Sequence, residues 1–305
     1  MSTPGRSQAG PHPLGGSADG FVSLEAPTDR YAVIGNPVAH SRSPFIHRAF
    51  ALATGQAIEY TRLACPMDGF KAVLRGFAAS GARGCNVTLP FKFDVPKLAA
   101  HCTARAALAG AANTLRFDEE GWLADNTDGI GLVRDIERNA HVMIAGRRLL
   151  LIGAGGAAAG ALGALLAAAP AELTVANRTP QKAHDLVARH RTAARTVGVA
   201  LLAAPLDRCG KGFDVVINAT TTSLQGAAAP VDASVLRPGA LALDMMYGPA
   251  AEPFLAWAIL HGATGRDGLG MLVEQAAQAF SLWRGIMPDT APVLDALRRR
   301  WDETV

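Results

Sequence analysis

The run from Leu149 to Ala171 contains no charged or polar side chain. Its length meets the usual requirement for a membrane span of about 20 apolar residues. Its composition does not. Gly153, Gly155, Gly156, Gly160, Gly163 and Pro170 interrupt it, and its second half is mostly alanine. It divides into "RLLLIG", a glycine cluster and "AAAGALGALLAAA". A buried strand, a tight turn and a buried helix account for all three pieces. A strand feeding a helix through glycines is the repeating step of an α/β fold, so this stretch constrains the architecture more than any other.

The same alternation continues after it. "ELTVANRT" reads as a strand, "PQKAHDLVARHR" as a helix, and "FDVVINAT" and "ALALDMMY" as further strands. Apolar strands without polar alternation indicate a parallel, doubly wound sheet. Upstream, "YAVIGNP", "IEYTRLA" and "GCNVTLPF" predict strands, the last stopped by Pro90. "SPFIHRAFALATG" predicts a helix with Ser43 as N-cap, Pro44 in the first turn and Gly55 as stop. Residues 68–80 predict another helix. "FDVPKLAAHC" and "ARAALAG" read as helical pieces, and "ANTLRFDEEGWLADNTDG" as two short strands around a turn. "GIGLVRDIERNA" leads out as a helix, and 267–305 is helical again. The expected fold class is α/β with two α/β domains. The first, 30–129, has a mixed sheet and is completed by C-terminal helices within 264–305. The second, 130–263, is a Rossmann-type doubly wound parallel-sheet domain.

Of 305 residues half are hydrophobic, and the net charge is +3 with no dense Lys/Arg block. Nucleic acid and a membrane surface therefore have no electrostatic support as partners. Cys65, Cys85, Cys102 and Cys209 form no Cys-x-x-Cys pair, and no histidine stands at zinc-ligand spacing. Free thiols in a reducing cytoplasm are expected. Residues 1–29 are rich in Pro, Gly and Ser and lack the apolar run of a signal peptide; they read as a disordered extension.

"LLLIGAGGAAAG" fits the Gly-x-Gly-x-x-Gly/Ala fingerprint with Gly153, Gly155 and Ala158. The chemistry requires a tight turn, no side chain where pyrophosphate approaches, and a helix N-terminus offering free N–H groups. Glycine turns also occur for packing alone, but this one follows a strand and opens a helix. The tip of the next strand then selects the dinucleotide. An acidic residue there would take the ribose hydroxyls of NAD. Here "ANRTPQK" offers Arg178, Thr179 and Lys182 instead, which suit the 2′-phosphate of NADP.

Asn86 and Thr88, Lys92, Asn113 and Asp128 each have an ordinary explanation as turn or surface residues when taken singly. In order along the chain, however, stand "GNPVAHSRSPFIH", "NVTLPFK", "AGAANT", "DNTDG", "IGAGGAA", "NRT", "INATT", "DMMY" and "DGLGMLVEQAAQAF". Over about residues 30–300 this set closely resembles the shikimate dehydrogenase family. The resemblance implies reversible NADPH-dependent reduction of 3-dehydroshikimate to shikimate in aromatic amino acid biosynthesis, by a cytoplasmic monomer or homodimer that needs no metal. It implies that Ser41 and Ser43 bind the substrate carboxylate near Tyr247. Asn86, Thr88, Asn113, Asp128 and Gln275 would bind its hydroxyls, and Lys92 with Asp128 would form the catalytic pair. The cofactor residues implied are Gly153, Ala154, Gly155, Gly156, Ala157, Asn177, Arg178, Thr179, Lys182, Thr220, Met245 and Gly268. Lys182 departs from a common arginine, and "NATTTSLQG" lacks the glycine often found after "NAT". Two alternatives remain at this point: an NAD-preferring quinate/shikimate dehydrogenase, and a non-catalytic paralogue that only binds shikimate-like ligands.

The composition of the N-terminal extension buries too little apolar surface to offset the entropy of ordering. A chain lacking residues 1–25 is expected to keep its Tm and its activity. A large loss of either would show that the extension packs on the body.

Overall fold

The computed structural model describes Met1, residues 28–220 and residues 229–302. Most of the expected N-terminal extension, and "NATTTSLQG" from Thr221 onward, lie outside the described residues. The chain enters its first strand already at Asp29.

The first sheet contains β1 (Asp29–Gly35), β2 (Ile58–Ala64), β3 (Gly84–Val87), β4 (His101–Cys102), β5 (Thr114–Asp118) and β6 (Gly121–Asp125), in the order β2-β1-β3-β5-β6-β4. Helices α1 (Ser43–Thr54) and α2 (Phe70–Ala79) make crossovers, so β1 runs parallel to β2 and β3. The two-residue turn after β5 leaves no room for a crossover, and β5 and β6 pair antiparallel. The sheet is therefore mixed, as expected.

The second sheet contains β7 (Arg148–Ile152), β8 (Glu172–Asn177), β9 (Ala200–Pro205), β10 (Phe213–Asn218), β11 (Leu236–Asp244) and β12 (Thr264–Arg266). Its order is β12-β11-β10-β7-β8-β9, with every pairing parallel. Residues alternate between two cores. Leu149 and Leu151 face one with Leu162 and Val187, whereas Leu150 and Ile152 face the other with Phe254 and Ala258. Both faces are thus covered, which explains the unbroken apolar strands. The strand order reverses between β7 and β10, and a ligand crevice forms beyond the carboxyl ends at such a switch point.

Four expectations need correction. The residue at the N-cap of α1 is Arg42, in a helical conformation, with no side-chain capping bond; Ser43 is already helical. The third strand ends at Val87, before Thr88. "FDVPKLAAHC" is broken into a 3-10 turn over Phe91–Phe93, the one-turn helix α3 (Val95–Leu98) and β4, because Pro96 and short spacing prevent a longer helix. The exit helix is α5 (Asp128–Arg134), continued by a π-helical turn over Asp135–Asn139. The strands β9 and β12 and a helix over Glu252–Leu260 were not expected.

The remaining helices are α4 (Ala104–Ala109), α6 (Gly156–Ala167), α7 (Pro180–Thr196), α8 (Glu252–Leu260), α9 (Leu269–Arg284) and α10 (Ala291–Asp302). The chain returns to its start through α9. Val273 and Phe280 join Ile46 and Phe50 of α1 in one core, Trp283 Nε1 donates to the Leu115 carbonyl at 2.9 Å, and Arg284 pairs with Asp29. Between the two sheets, α5 is held by two close contacts. A Cβ on Gly129 would stand 2.6 Å from the Gly160 carbonyl of α6, and one on Gly131 would stand 2.6 Å from Gln275 Cβ of α9. No helix among the described residues is long and apolar enough to cross a membrane.

His47 of α1 is fully buried, stacked on Tyr60 with ring centroids 4.2 Å apart, and neither ring nitrogen has a partner in bonding geometry. Burial pushes its imidazole down to about 3, with the Asn86 amide opposing. The folded state therefore holds a neutral ring while the unfolded chain protonates near its ordinary value of 6.5. This contribution to stability is complete above that value and is lost as pH falls towards 3. His47→Phe is expected to flatten the acid limb of a denaturation series by up to about 1.4 kcal/mol per pH unit between those limits. An unchanged slope would mean that the ring protonates without unfolding the protein.

Candidate active site

A cleft of about 540 Å³ opens where the carboxyl end of the second sheet faces the first sheet. Every site residue expected from the sequence lines it, although those residues come from Ser41 to Gln275 of the chain.

Its polar end begins with the turn before α1. Ser41 Oγ and Ser43 Oγ lie 3.2 Å apart, and the Ser43 N–H points to Ser41 Oγ at 3.3 Å. Arg62 holds this turn by donating twice to the Ser41 carbonyl, at 2.9 and 2.6 Å. Because Ser43 does not cap α1, its hydroxyl remains available to the cleft. Burial pushes the Tyr247 hydroxyl up from its ordinary value, while the nearby Arg42 backbone and the Arg42 and Arg62 cations pull it down. Two hydroxyls, a phenol and nearby positive charge suit an anionic group.

Deeper in, Asn113 is the centre of a buried network. Its Nδ2 donates to Asp128 Oδ1 at 2.8 Å, with Thr127 Oγ1 at 2.9 Å and Gln275 Oε1 at 3.1 Å as further acceptors. Asn86 is anchored by Tyr60, whose hydroxyl donates to Asn86 Oδ1 at 2.7 Å. Lys92, on the 3-10 turn after β3, donates through Nζ to Asp128 Oδ2 at 2.5 Å. Asp128 is the first residue of α5, where a negative charge also meets the positive end of the helix. This ion pair is nearly buried, so removing either partner would strand a charge. The carboxylate holds the ammonium at the mouth of the polar network, and such a cation can give a proton to, or stabilise, a developing oxyanion.

The other end of the cleft suits phosphate. Gly153 adopts φ +112°, which lets the chain turn from β7 into α6. A Cβ on Gly155 would stand in open space, and no side chain caps α6. The first N–H groups of α6 therefore have no intrahelical acceptor and face the cleft rim. At the tip of β8, Asn177 Nδ2 donates to the Thr179 carbonyl at 2.9 Å and fixes the turn. Arg178 and Lys182 are exposed, line the cleft and have no carboxylate partner among the described residues. A cradle of free N–H groups beside two such cations fits a dinucleotide carrying an extra phosphate. Thr220, Met245 and Gly268 also line the cleft, as do Met271 and Leu272.

Tyr60, Arg62, Thr114 and Thr127 were not singled out in the sequence. The two threonines flank Asn113 and Asp128 in "AANT" and "NTDG", and that adjacency was the available signal. Tyr60 is an inward-facing residue of an ordinary-looking strand, and nothing local marks it.

The chain matches the family described as "Shikimate dehydrogenase substrate binding domain" over residues 33–115. It matches "Shikimate / quinate 5-dehydrogenase" over 135–226 and "Shikimate 5'-dehydrogenase C-terminal domain" over 268–298. It is 63% identical over 279 residues to a shikimate dehydrogenase (NADP(+)) of Methylibium petroleiphilum, covering 90% of this chain and 95% of that one. Among solved structures it resembles an Ael1 enzyme from Pseudomonas putida, with 44% identity, a TM-score of 0.81 and coverage of 88% and 98%. It also resembles a shikimate 5-dehydrogenase from Thermus thermophilus solved with NADP(H) and shikimate, with 30% identity, a TM-score of 0.77 and coverage of 89% and 99%. Whole-chain identity at this level, joined to the cleft described above, has one consequence: the chain belongs to the shikimate dehydrogenase family.

Proposed function

We infer that the cleft interconverts 3-dehydroshikimate and shikimate with NADP(H), and that the residues lining it divide this work as follows. The observation that carries the reading is the 2.5 Å Lys92–Asp128 pair, set between a polar network and a phosphate cradle. Residues 30–129 with the helices of 264–305 form the substrate half, and 130–263 the cofactor half. Ser41, Ser43 and Tyr247 hold the substrate carboxylate. Asn86, Thr88, Asn113, Asp128 and Gln275 take the ring hydroxyls. The α6 N-terminus from Gly153 to Ala157 receives pyrophosphate, and Arg178, Thr179 and Lys182 receive the 2′-phosphate, with Asn177 fixing their turn. Thr220, Met245 and Gly268 border the nicotinamide.

When bound, NADPH supplies the hydride. Lys92 Nζ gives a proton to the oxygen that becomes a hydroxyl, and Asp128 keeps that donor aimed. In the oxidative direction the same group accepts the proton. The intact ion pair speaks against a module that merely binds shikimate-like ligands, and the absence of an acidic side chain at the β8 tip speaks against NAD preference. The free cysteines support a reducing, cytoplasmic setting.

Arg178→Ala is expected to weaken NADPH binding while leaving NADH binding nearly unchanged, by roughly 1.5–3 kcal/mol for the lost charge-assisted contact. Titration with both cofactors checks it, and equal losses would assign Arg178 to the fold or the adenine. Lys92→Ala is expected to lower kcat by roughly 10²–10⁴. Steady-state assays in both directions read this. A kcat within a few-fold of wild type, with only KM raised, would make Lys92 a binding residue and leave the proton to another source.

A further inference from the structure

Thr114 is fully buried at the start of β5 and does not line the cleft. The antiparallel register sets it directly opposite Asn86. Its hydroxyl joins five side chains into one directed chain. Tyr60 OH donates to Asn86 Oδ1 at 2.7 Å, and Asn86 Nδ2 donates to Thr114 Oγ1 at 3.0 Å. Thr114 Oγ1 donates to Asn113 Oδ1 at 2.9 Å, and Asn113 Nδ2 donates to Asp128 Oδ1 at 2.8 Å. Lys92 closes the chain on the other Asp128 oxygen.

A hydroxyl has a single hydrogen. Once Thr114 gives it to Asn113, the oxygen acts on Asn86 only as an acceptor, so the Asn86 amide must turn its nitrogen towards Thr114. Its second N–H goes to the Asn113 carbonyl at 3.1 Å. Asn86 is left with one lone pair on Oδ1 for the cleft. Asn113 is fixed in the opposite sense. Its Oδ1 already takes the Thr127 N–H at 2.9 Å as well as Thr114. Both Nδ2 hydrogens are engaged, one by Asp128 and the other shared between Thr127 and Gln275, and the shared one is the hydrogen for which a ligand acceptor can compete. One amide therefore presents an acceptor and the other a donor.

We propose that Thr114 is a positioning residue that, together with the Asn113 carbonyl and the Thr127 N–H, holds the hydrogen-bond polarity of Asn86 and Asn113, so that a ring hydroxyl donates to the first and another accepts from the second. This deepens the functional reading above and rests on it. Without the hydroxyl of Thr114, one Asn86 N–H loses its acceptor and Asn113 Oδ1 loses one of its donors, so that the Asn113 carbonyl and the Thr127 N–H are left to hold the two amides in this sense. The substrate would then meet two less firmly held amides.

The test compares wild type with Thr114→Val, which keeps the shape and removes the hydroxyl, and with Thr114→Ser, which keeps the hydroxyl. Turnover of shikimate by the wild type checks the functional reading separately; the variants then test the inference. Thr114→Val is expected to raise the KM for shikimate by about tenfold or more, the effect of one buried hydrogen bond. The KM for NADP⁺ should stay within about twofold, and Thr114→Ser should recover most of the loss. An unchanged KM for shikimate in Thr114→Val would overturn the proposal. So would an equal impairment of Thr114→Ser accompanied by a fall in Tm, since that marks a packing role. If Thr114→Val does not fold, Tyr60→Phe removes another side-chain partner that holds Asn86. The KM for shikimate should then rise several-fold, and a normal value would sink the idea.

Discussion

The 2.5 Å contact between Lys92 and Asp128 is the interaction to which the rest of the molecule is fitted. Burying two charges costs several kcal/mol per ion, and attraction offsets this only when the remaining hydrogen-bonding capacity is also satisfied. The surroundings meet that condition. Asn113 occupies the second carboxylate oxygen, and the Asp128 N–H is taken by Asn126 Oδ1 at 3.1 Å. Asn126 in turn donates to the Ala111 carbonyl at 2.9 Å. Thus "AGAANT" and "DNTDG" are two halves of one support, and their distance in sequence reflects only the hairpin between them.

The two ends of the cleft are organised on different electrostatic terms. At the substrate end the polar side chains are mutually bonded before any ligand arrives, so binding requires little reordering. At the other end the helix terminus and the cations at the β8 tip lack internal anions among the described residues, which leaves their charge to be compensated by solvent or, in the proposed reading, by phosphate. A pre-bonded polar network and an uncompensated basic end thus line one cleft.

Much of this was legible in the sequence because it depends on local chemistry. The strand–glycine–helix step at β7 and α6, the absence of an acidic residue after β8, and the ordered motifs of the first sheet all report on nearby backbone. What was hidden depends on tertiary context. Ser43 resembled an N-cap because serine before proline usually is one, but the approach of Arg62 to the Ser41 carbonyl holds the turn so that the helix begins a residue earlier. β9 is rich in alanine and β12 has three residues with Thr264 as its one β-branched side chain, so neither carries a run of the branched residues that signal a strand; each is specified by the neighbour it pairs with. Tyr60 and Thr114 gain their importance only across the sheet, through partners that no spacing rule connects.

The bare faces of α5 have a consequence for how changes in this protein would present themselves. Gly129 and Gly131 allow one short helix to lie against α6 on one side and α9 on the other. The same helix starts with Asp128. A single methyl group at Gly129 would strike α6, and one at Gly131 would strike α9 at Gln275, so either would press on the helix that carries the carboxylate. Such a lesion would look in an assay like damage to the chemistry, although its origin is geometric. The spacing between neighbouring helices acts here as an alignment shim for the Lys92–Asp128 pair, and it is encoded by the lack of a side chain.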